Sequence, residues 1–350
     1  MSRIAVGLSG GVDSSVTVHL LQQAGYEVVG IHLCLTPNHD QNQQTANDAR
    51  IVAEHFGIEF HVLDASDFFD KNVIQPFAQA YIHNQTPNPC VQCNACVKFG
   101  ILWQEAQRLN CTHLATGHYV RLHHENNIYA LSKAEDPKKD QSYFLWAIPA
   151  DVLPHVVFPL GDYNKTDVRK IAAELGLSTA SKRDSQEICF VPDDDYIAFL
   201  HHYCPTKLPK EGHFINENND IIGTHQGAWR YTIGQRRGLG LALGYPAYVV
   251  ALNTGKNTVT VGHDESLWHE GLIATHVNFH VKHSNEGTAL IKIRSRDQGT
   301  TGHWSYADDM LTIHFDEPVR AITPGQSVVL YDNNCIIGGG IILHALPTST

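Results

Sequence analysis

The sequence predicts an α/β protein: an N-terminal parallel sheet with helices on its faces, then a small β-rich domain, then a C-terminal β-barrel. Three observations carry this prediction. Strand-like and helix-like segments alternate from Arg3 to about Tyr203. A turn rich in glycine and serine joins the first strand to the first helix. Near Cys204 helical periods give way to short alternating strands, broken by Gly223, Gly227, Gly234, Gly238, Gly240 and Gly244. We therefore divide the chain into residues 1–203, 204–270 and 271–350.

Ile4 to Leu8 reads as a short buried strand, and Val16 to Ala24 as a helix with Val16, Leu20 and Ala24 on one face. Between them lie Ser9-Gly10-Gly11-Val12-Asp13-Ser14. A strand, a tight glycine turn and a helix N-terminus form a phosphate cradle. Backbone N–H groups point into the turn, and the helix dipole adds positive potential. Gly10 and Gly11 let the backbone approach a ligand closely. The Walker lysine pattern is absent.

Glu27–Leu33 is the second expected strand and Glu59–Leu63 the third. Thr45-x-x-Asp48 has the form of a capping box ahead of Ala49, Val52, Ala53 and Phe56. Phe68–His83 reads as helical, and Thr86–Cys90 as a stiff loop, since each proline restrains its predecessor. Asn94 is placed to cap a helix running to Leu109. Thr112–Thr116 is a further strand, ending in Gly117-His118-Tyr119 at a carboxyl edge, where open α/β sheets hold ligands. Val120–Ser132 reads as a hairpin and Thr166–Leu175 as a helix. Ala289–Arg294, Ser327–Tyr331 and Ile336–Leu343 alternate as barrel strands.

The formal net charge is −11. Counting along the chain, 14 basic and 23 acidic residues precede Cys204, and 11 basic and 13 acidic ones follow. No basic tail exists, so any RNA contact rests on local clusters. No apolar run is long enough to span a bilayer, and the chain enters its first strand at once. We expect a cytoplasmic protein with no membrane partner, and a monomer. Eight cysteines in a reducing compartment point to catalysis or metal rather than structural disulfides. Cys90, Cys93 and Cys96 are spaced by three, and Cys93 falls just ahead of the expected helix, where a thiolate is stabilised. Cys189 stands alone, with Lys182 and Arg183 upstream.

The S-G-G-V-D-S loop resembles that of the PP-loop ATP pyrophosphatases, an adenine nucleotide alpha hydrolase-like fold. With it come T-P-N-P-x-x-x-C-N, A-T-G-H-Y, D-Q-S-Y-F-L, K-x-D-S-Q-x-I-C-F and Y-T-I-G-Q-R-R-G-L, in one order. Together these resemble the bacterial tRNA-uridine 2-sulfurtransferase family, the 2-thiouridylases, from Arg3 to about Ala345. The resemblance implies ATP-dependent thiolation of carbon 2 of a wobble uridine, with tRNA as partner. It also implies Mg²⁺ on the ATP, held with the help of Asp13, and a sulfur donor that is a persulfide-relay protein or a cysteine desulfurase. ATP contacts are implied at Gly7, Leu8, Ser9, Gly10, Gly11, Val12, Asp13, Ser14, Leu33 and Gly117. Cys189 falls at the persulfide position and Cys93 at the other catalytic cysteine. RNA-facing positions fall on Asn88, Pro89, Cys90, His118, Lys139, Asp140, Gln141, Arg294, Ser295 and Gln326.

Many family members carry Asp where this chain has Cys90. Three thiols, Cys90, Cys93 and Cys189, suffice for a [4Fe–4S] cluster with one open iron. Adding Cys96 would suit zinc. A metal-free persulfide route needs only Cys93 and Cys189. Two other functions fit parts of the sequence: another PP-loop ligase, which would leave the paired cysteines unexplained, and a metal-stapled RNA-binding protein without turnover.

Overall fold

The computed structural model describes residues 2–36, 39–125, 128–177, 188–281 and 284–347, without the side chains of 39–41. Strands β1 (Arg3–Gly7), β2 (Glu27–Cys34), β3 (Glu59–Asp64) and β4 (His113–Ala115) run parallel. The hairpin β5 (Arg121–Glu125) and β6 (Ile128–Ser132) leaves this sheet, and β7 (Val156–Val157) returns to it beside β4. The order is β3-β2-β1-β4-β7. Ile4, Ala5 and Val6 are fully buried, as a central strand covered on both faces requires. The chain runs from β1 outward to β3 and then crosses to β4 on the other side. The crevice between the ends of β1 and β4 is thus the topological switch point.

Helix α1 (Val12–Gln23) begins four residues earlier than its apolar spacing predicts, so Asp13 sits in its first turn. Helix α2 (His39–Phe56) runs straight through Thr45, which corrects the capping-box reading. The Thr45 hydroxyl instead donates to the Asn42 carbonyl at 3.1 Å, within the helix. The helix over 89–108 likewise starts ahead of Asn94. Pro89 opens it, in the first-turn position where a missing N–H costs nothing. Asn94 is buried and donates to the Phe144 carbonyl at 3.0 Å. Cys93–Ile101 within it is wound as a π-helix, a form concentrated at functional sites.

The second sheet comprises β8 (Gly212–Ile215), β9 (Ile221–His225), β10 (Tyr248–Asn253) and β11 (Thr258–Gly262), ordered β10-β11-β8-β9. Then come β12 (Trp268–Phe279), β13 (Glu286–Lys292), β14 (Thr300–Ala307), β15 (Met310–Arg320), β16 (Ser327–Asp332) and β17 (Cys335–Ala345). β12 pairs with both β15 and β17, closing six antiparallel strands into a barrel and leaving that ring no free edge.

The barrel is fused to the first sheet. Ser132 of β6 pairs with Cys335 of β17. The Tyr143 hydroxyl donates to the Ser327 carbonyl at 2.8 Å, and the Trp146 indole to the Ser327 hydroxyl at 2.9 Å. Val329, Tyr331 and Ile336 of the barrel share one core with Ala5 and Leu114. The seam fixes barrel residues over the carboxyl ends of β1 and β4.

Candidate active site

The loop after β1 is built from its own sequence. Gly10 takes φ +70°, and a Cβ there would lie 2.7 Å from that of Asp48, so glycine is needed twice over. Ser14 and Ser15 hydroxyls donate to the Gly11 carbonyl at 3.1 and 2.9 Å, and Ser9 and Ser14 hydroxyls are 3.2 Å apart. Across the switch point Gly117 packs on the start of α1, where a Cβ would come within 3.0 Å of Asp13. A cavity of about 1410 Å³ opens here. Every expected ATP contact lines it except Gly10, which faces α2 behind the loop. His32, unpredicted, forms part of the wall. Its Nδ1 lies 2.9 Å from the Leu8 carbonyl oxygen and its Nε2 3.2 Å from the Thr45 hydroxyl.

Sequence reasoning also missed Lys165, and it placed Tyr119 at the ligand edge without giving it a role. Lys165 Nζ sits 2.7 Å from both carboxylate oxygens of Asp13, and the Tyr119 hydroxyl donates to the same carboxylate at 2.7 Å. Lys165 is the first residue of the helix Lys165–Glu174 and is 8% exposed. A cation at the positive end of a helix breaks a local rule. That broken rule is the signal that could have found it.

The cavity gathers charge. Eight of its lining residues are Lys or Arg and three are Asp, in a chain whose acidic residues outnumber its basic ones 36 to 25. The barrel contributes Lys292, Ser295, Arg296 and Asp297 to the same wall as the loop. Among the expected RNA-facing residues, His118, Lys139, Asp140, Gln141 and Ser295 line this cavity. Several of them have structural partners. Asp140 accepts from the Ala134 and Ser142 amides, at 3.1 and 3.2 Å, and Gln141 accepts from the Tyr119 amide at 2.9 Å. His118 is buried, 2.7 Å from the Thr116 hydroxyl and 3.3 Å from Lys98 Nζ. Burial, then Lys98, holds its pKa well below the usual histidine range, so it is neutral at pH 7.

Arg294 and Gln326 line a separate cavity of about 490 Å³ with Thr86, Gln235 and Arg320, where all three parts of the chain meet. Arg294 donates to the Ala321 carbonyl, and Gln326 to the Thr86 carbonyl at 2.7 Å. Asn88, Pro89 and Cys90 open the 89–108 helix.

The thiols correct one expectation. Cys93 is not at a helix N-terminus: it lies in the π stretch and is buried. Burial pushes its thiol up, and Lys98 opposes this. Cys90 is exposed, yet protein around its sulfur raises it too. Cys189 is exposed as a residue, but desolvation, then Cys93 and Cys90 nearby, push its thiol up to about 12. Phe190, stacked edge-on against Phe69 and Phe77 in the cluster that contains Cys93, anchors Cys189 beside that helix. Cys96 donates to the Gln92 carbonyl at 3.0 Å, inside its own helix. Among the described residues no three His, Cys, Asp or Glu side chains are placed to hold a metal ion. Lys182 and Arg183 lie outside the described residues. No helix among the described residues is long and apolar enough to cross a membrane.

Three families match in succession. They are the tRNA methyl transferase HUP domain over residues 2–193, the tRNA methyl transferase PRC-barrel domain over 197–263, and the aminomethyltransferase beta-barrel domain over 269–342. A tRNA-specific 2-thiouridylase MnmA of Clostridium acetobutylicum is 40% identical, covering 97% of this chain and 99% of that one. A tRNA-specific 2-thiouridylase MnmA 1 of Caldanaerobacter subterraneus subsp. tengcongensis is 41% identical, covering 97% and 98%. A solved 4-thiouridine synthetase–RNA complex with bound ATP is far more distant, 15% identical with a TM-score of 0.37, covering 59% of this chain and 51% of that one.

Proposed function

This chain belongs to the tRNA-specific 2-thiouridylase family, and from that premise we propose that it is an ATP-dependent sulfurtransferase acting on carbon 2 of the wobble uridine of tRNA. One observation supports this above the others. The phosphate loop and the basic residues of the barrel line a single cavity, large enough for a nucleotide and a base together. Residues 1–203 supply the loop, six of the eight basic lining residues and, outside that lining, the thiols; 271–350 add Lys292 and Arg296 to the wall; and 204–270 join them at the smaller cavity with Arg294 and Gln326.

Uridine O2 is a poor leaving group. Attack of O2 on the α-phosphate of ATP makes it a leaving AMP and sends pyrophosphate into the Gly7–Ser14 loop. The amides of the loop, the Ser9 and Ser14 hydroxyls and the start of α1 receive that charge. When bound to the nucleotide, Mg²⁺ neutralises phosphate charge. One carboxylate plus phosphate oxygens is an ordinary ligand set for it, and Asp13 is the carboxylate within the loop that would help hold it. The target base leaves its stack to enter the cavity, and Asn88, Pro89, Cys90, His118, Lys139, Asp140, Gln141, Ser295, Arg294 and Gln326 form the RNA-facing surface.

A persulfide on Cys189, loaded by a relay protein or a cysteine desulfurase, then attacks carbon 2, and AMP departs with O2. Cys93 attacks Cys189 Sγ, the S–S bond to the transferred sulfur breaks, and a transient Cys93–Cys189 disulfide remains. Because the thiols of Cys90, Cys93 and Cys189 do not assemble as a metal ligand set, we route no step through an iron–sulfur cluster. Mass spectrometry of tRNA nucleosides tests the reading. 2-Thiouridine should appear only when the enzyme has ATP–Mg²⁺ and a persulfide donor together. Its absence under those conditions, or its formation without ATP, would falsify the assignment.

A further inference from the structure

We propose that Asp297 is a positioning residue for tRNA: its carboxylate clamps the loop that carries Arg294, Ser295 and Arg296, and so aims the two arginines into different cavities. The inference rests on the reading of Arg294 and Ser295 as RNA-facing and adds the residue that holds them in place.

Residues 293–299, seven in all, join β13 to β14. Ordinary hairpin loops have about two to five. This longer loop is a ridge between the two cavities. Ser295, Arg296, Asp297 and Gln298 line the larger one and Arg294 the smaller. A free loop of that length has many conformations, and ordering it only on binding costs affinity. Asp297 orders it in advance. One carboxylate oxygen accepts from the Gly299 amide at 3.1 Å and the other from the Ile293 amide at 3.4 Å, so the side chain ties the two ends of the loop together. Its own amide donates to the Arg294 carbonyl at 3.2 Å. Lys292 Nζ, on the strand below, donates to the Ser295 carbonyl at 3.1 Å. Gly299 completes the turn at φ +92°, where a Cβ would lie 2.9 Å from Leu290 Cγ. An acid is otherwise out of place here, because a carboxylate on a wall for a polyanion repels it. The clamp gives that carboxylate its reason.

The clamp and the charge of Asp297 predict opposite effects on RNA. Binding of a tRNA transcript with a wobble uridine to the full-length chain would be titrated at several salt concentrations, without ATP or persulfide. Asp297→Ala removes both charge and clamp. It should weaken binding at least fivefold and flatten the log–log salt slope by about one, since an arginine no longer aimed loses its phosphate. Asp297→Asn removes the charge but keeps an oxygen for the Gly299 amide. It should bind at least as tightly as wild type, with the slope retained. Amide hydrogen exchange over 293–299 in the free protein should quicken in Asp297→Ala and stay near wild type in Asp297→Asn. Tighter or unchanged binding by Asp297→Ala, equal losses in Asp297→Ala and Asp297→Asn, or unchanged exchange over 293–299 in Asp297→Ala would each overturn the proposal. Nucleoside analysis of tRNA treated with wild-type protein, ATP–Mg²⁺ and a persulfide donor separates the two claims. The predicted binding pattern without 2-thiouridine removes the sulfurtransferase reading and leaves the clamp standing. 2-Thiouridine together with unchanged binding by Asp297→Ala does the reverse.

Discussion

The phosphate loop and the thiol group, which carry the two halves of the proposed reaction, are built in opposite ways. The loop is local. Its hydroxyls bond to carbonyls three and four residues away, and its glycines answer contacts within the same sheet and helix layer. It is charged and hydrogen-bonded before any ligand binds. The thiols come from distant segments, the 89–108 helix and Cys189, brought together by an aromatic cluster around Phe69, Phe77 and Phe190. They are desolvated and protonated; Lys98 opposes the raised pKa of both Cys189 and Cys93, and a backbone hydrogen bond also opposes that of Cys189. In the proposed reaction, then, the leaving group's destination is prepared in advance while the nucleophile is kept unreactive. Cys189 becomes a competent nucleophile only once it carries a second sulfur, because a persulfide is a stronger acid than the thiol it replaces.

The largest effect separates the halves outright. Cys189→Ser should form no 2-thiouridine while still releasing pyrophosphate in a tRNA-dependent way, since a hydroxyl cannot carry a persulfide. Thiouridine at the wild-type rate in that variant removes Cys189 from the chemistry. Next, Asp13→Ala should lower tRNA-dependent pyrophosphate release by on the order of 10²-fold, the scale of losing one charge-positioning group in a preorganised site. Its folding should be intact, because Asp13 lines the cavity and lies outside the apolar core. Wild-type release would show that the loop works without it.

The protonation of the sulfur half has its own signature. Iodoacetamide should label unloaded Cys189 slowly at pH 7, with a rate rising about tenfold per pH unit. The direction follows from the raised thiol pKa of about 12: deprotonation, and hence reactivity, increases with pH across the whole accessible range. A rate already at its plateau near pH 7 would mean the thiol is pre-activated and the contrast drawn above is false. The smallest effect is on RNA contact. Arg294→Ala should flatten the log–log salt dependence of tRNA affinity by about one, the loss of one phosphate contact. ATP affinity should stay unchanged, because Arg294 lines the smaller cavity and not the nucleotide one. An unchanged salt slope assigns Arg294 to holding the Ala321 carbonyl alone.

The same contrast explains what the sequence revealed. The β1–loop–α1 unit and the barrel hairpins were readable because strand alternation, glycine turns and apolar spacing are local patterns. Thr45 and Asn94 misled because a cap-forming residue type was taken for a helix start. In the fold each lies inside a helix, with its side chain bonded to a carbonyl. The state of Cys93 was misread for the same reason: the helix begins at Pro89, and burial, not a helix terminus, sets its thiol. A cation at a helix start could have flagged Lys165, but its pairing with Asp13 was hidden because the two are 152 positions apart and only the fold brings the two helix starts together. The seam through Tyr143, Trp146 and Ser327 was equally hidden, since it links segments more than 180 residues apart.

The central claim is that uridine O2 is the atom activated in this cavity and expelled by sulfur. Its most direct test is a single-turnover reaction on tRNA carrying ¹⁸O at O2 of the target uridine, followed by mass spectrometry of the released AMP. The account predicts one ¹⁸O in AMP for each 2-thiouridine formed, because the C2–O2 bond breaks and the O2–phosphorus bond survives. Unlabelled AMP alongside 2-thiouridine would contradict it.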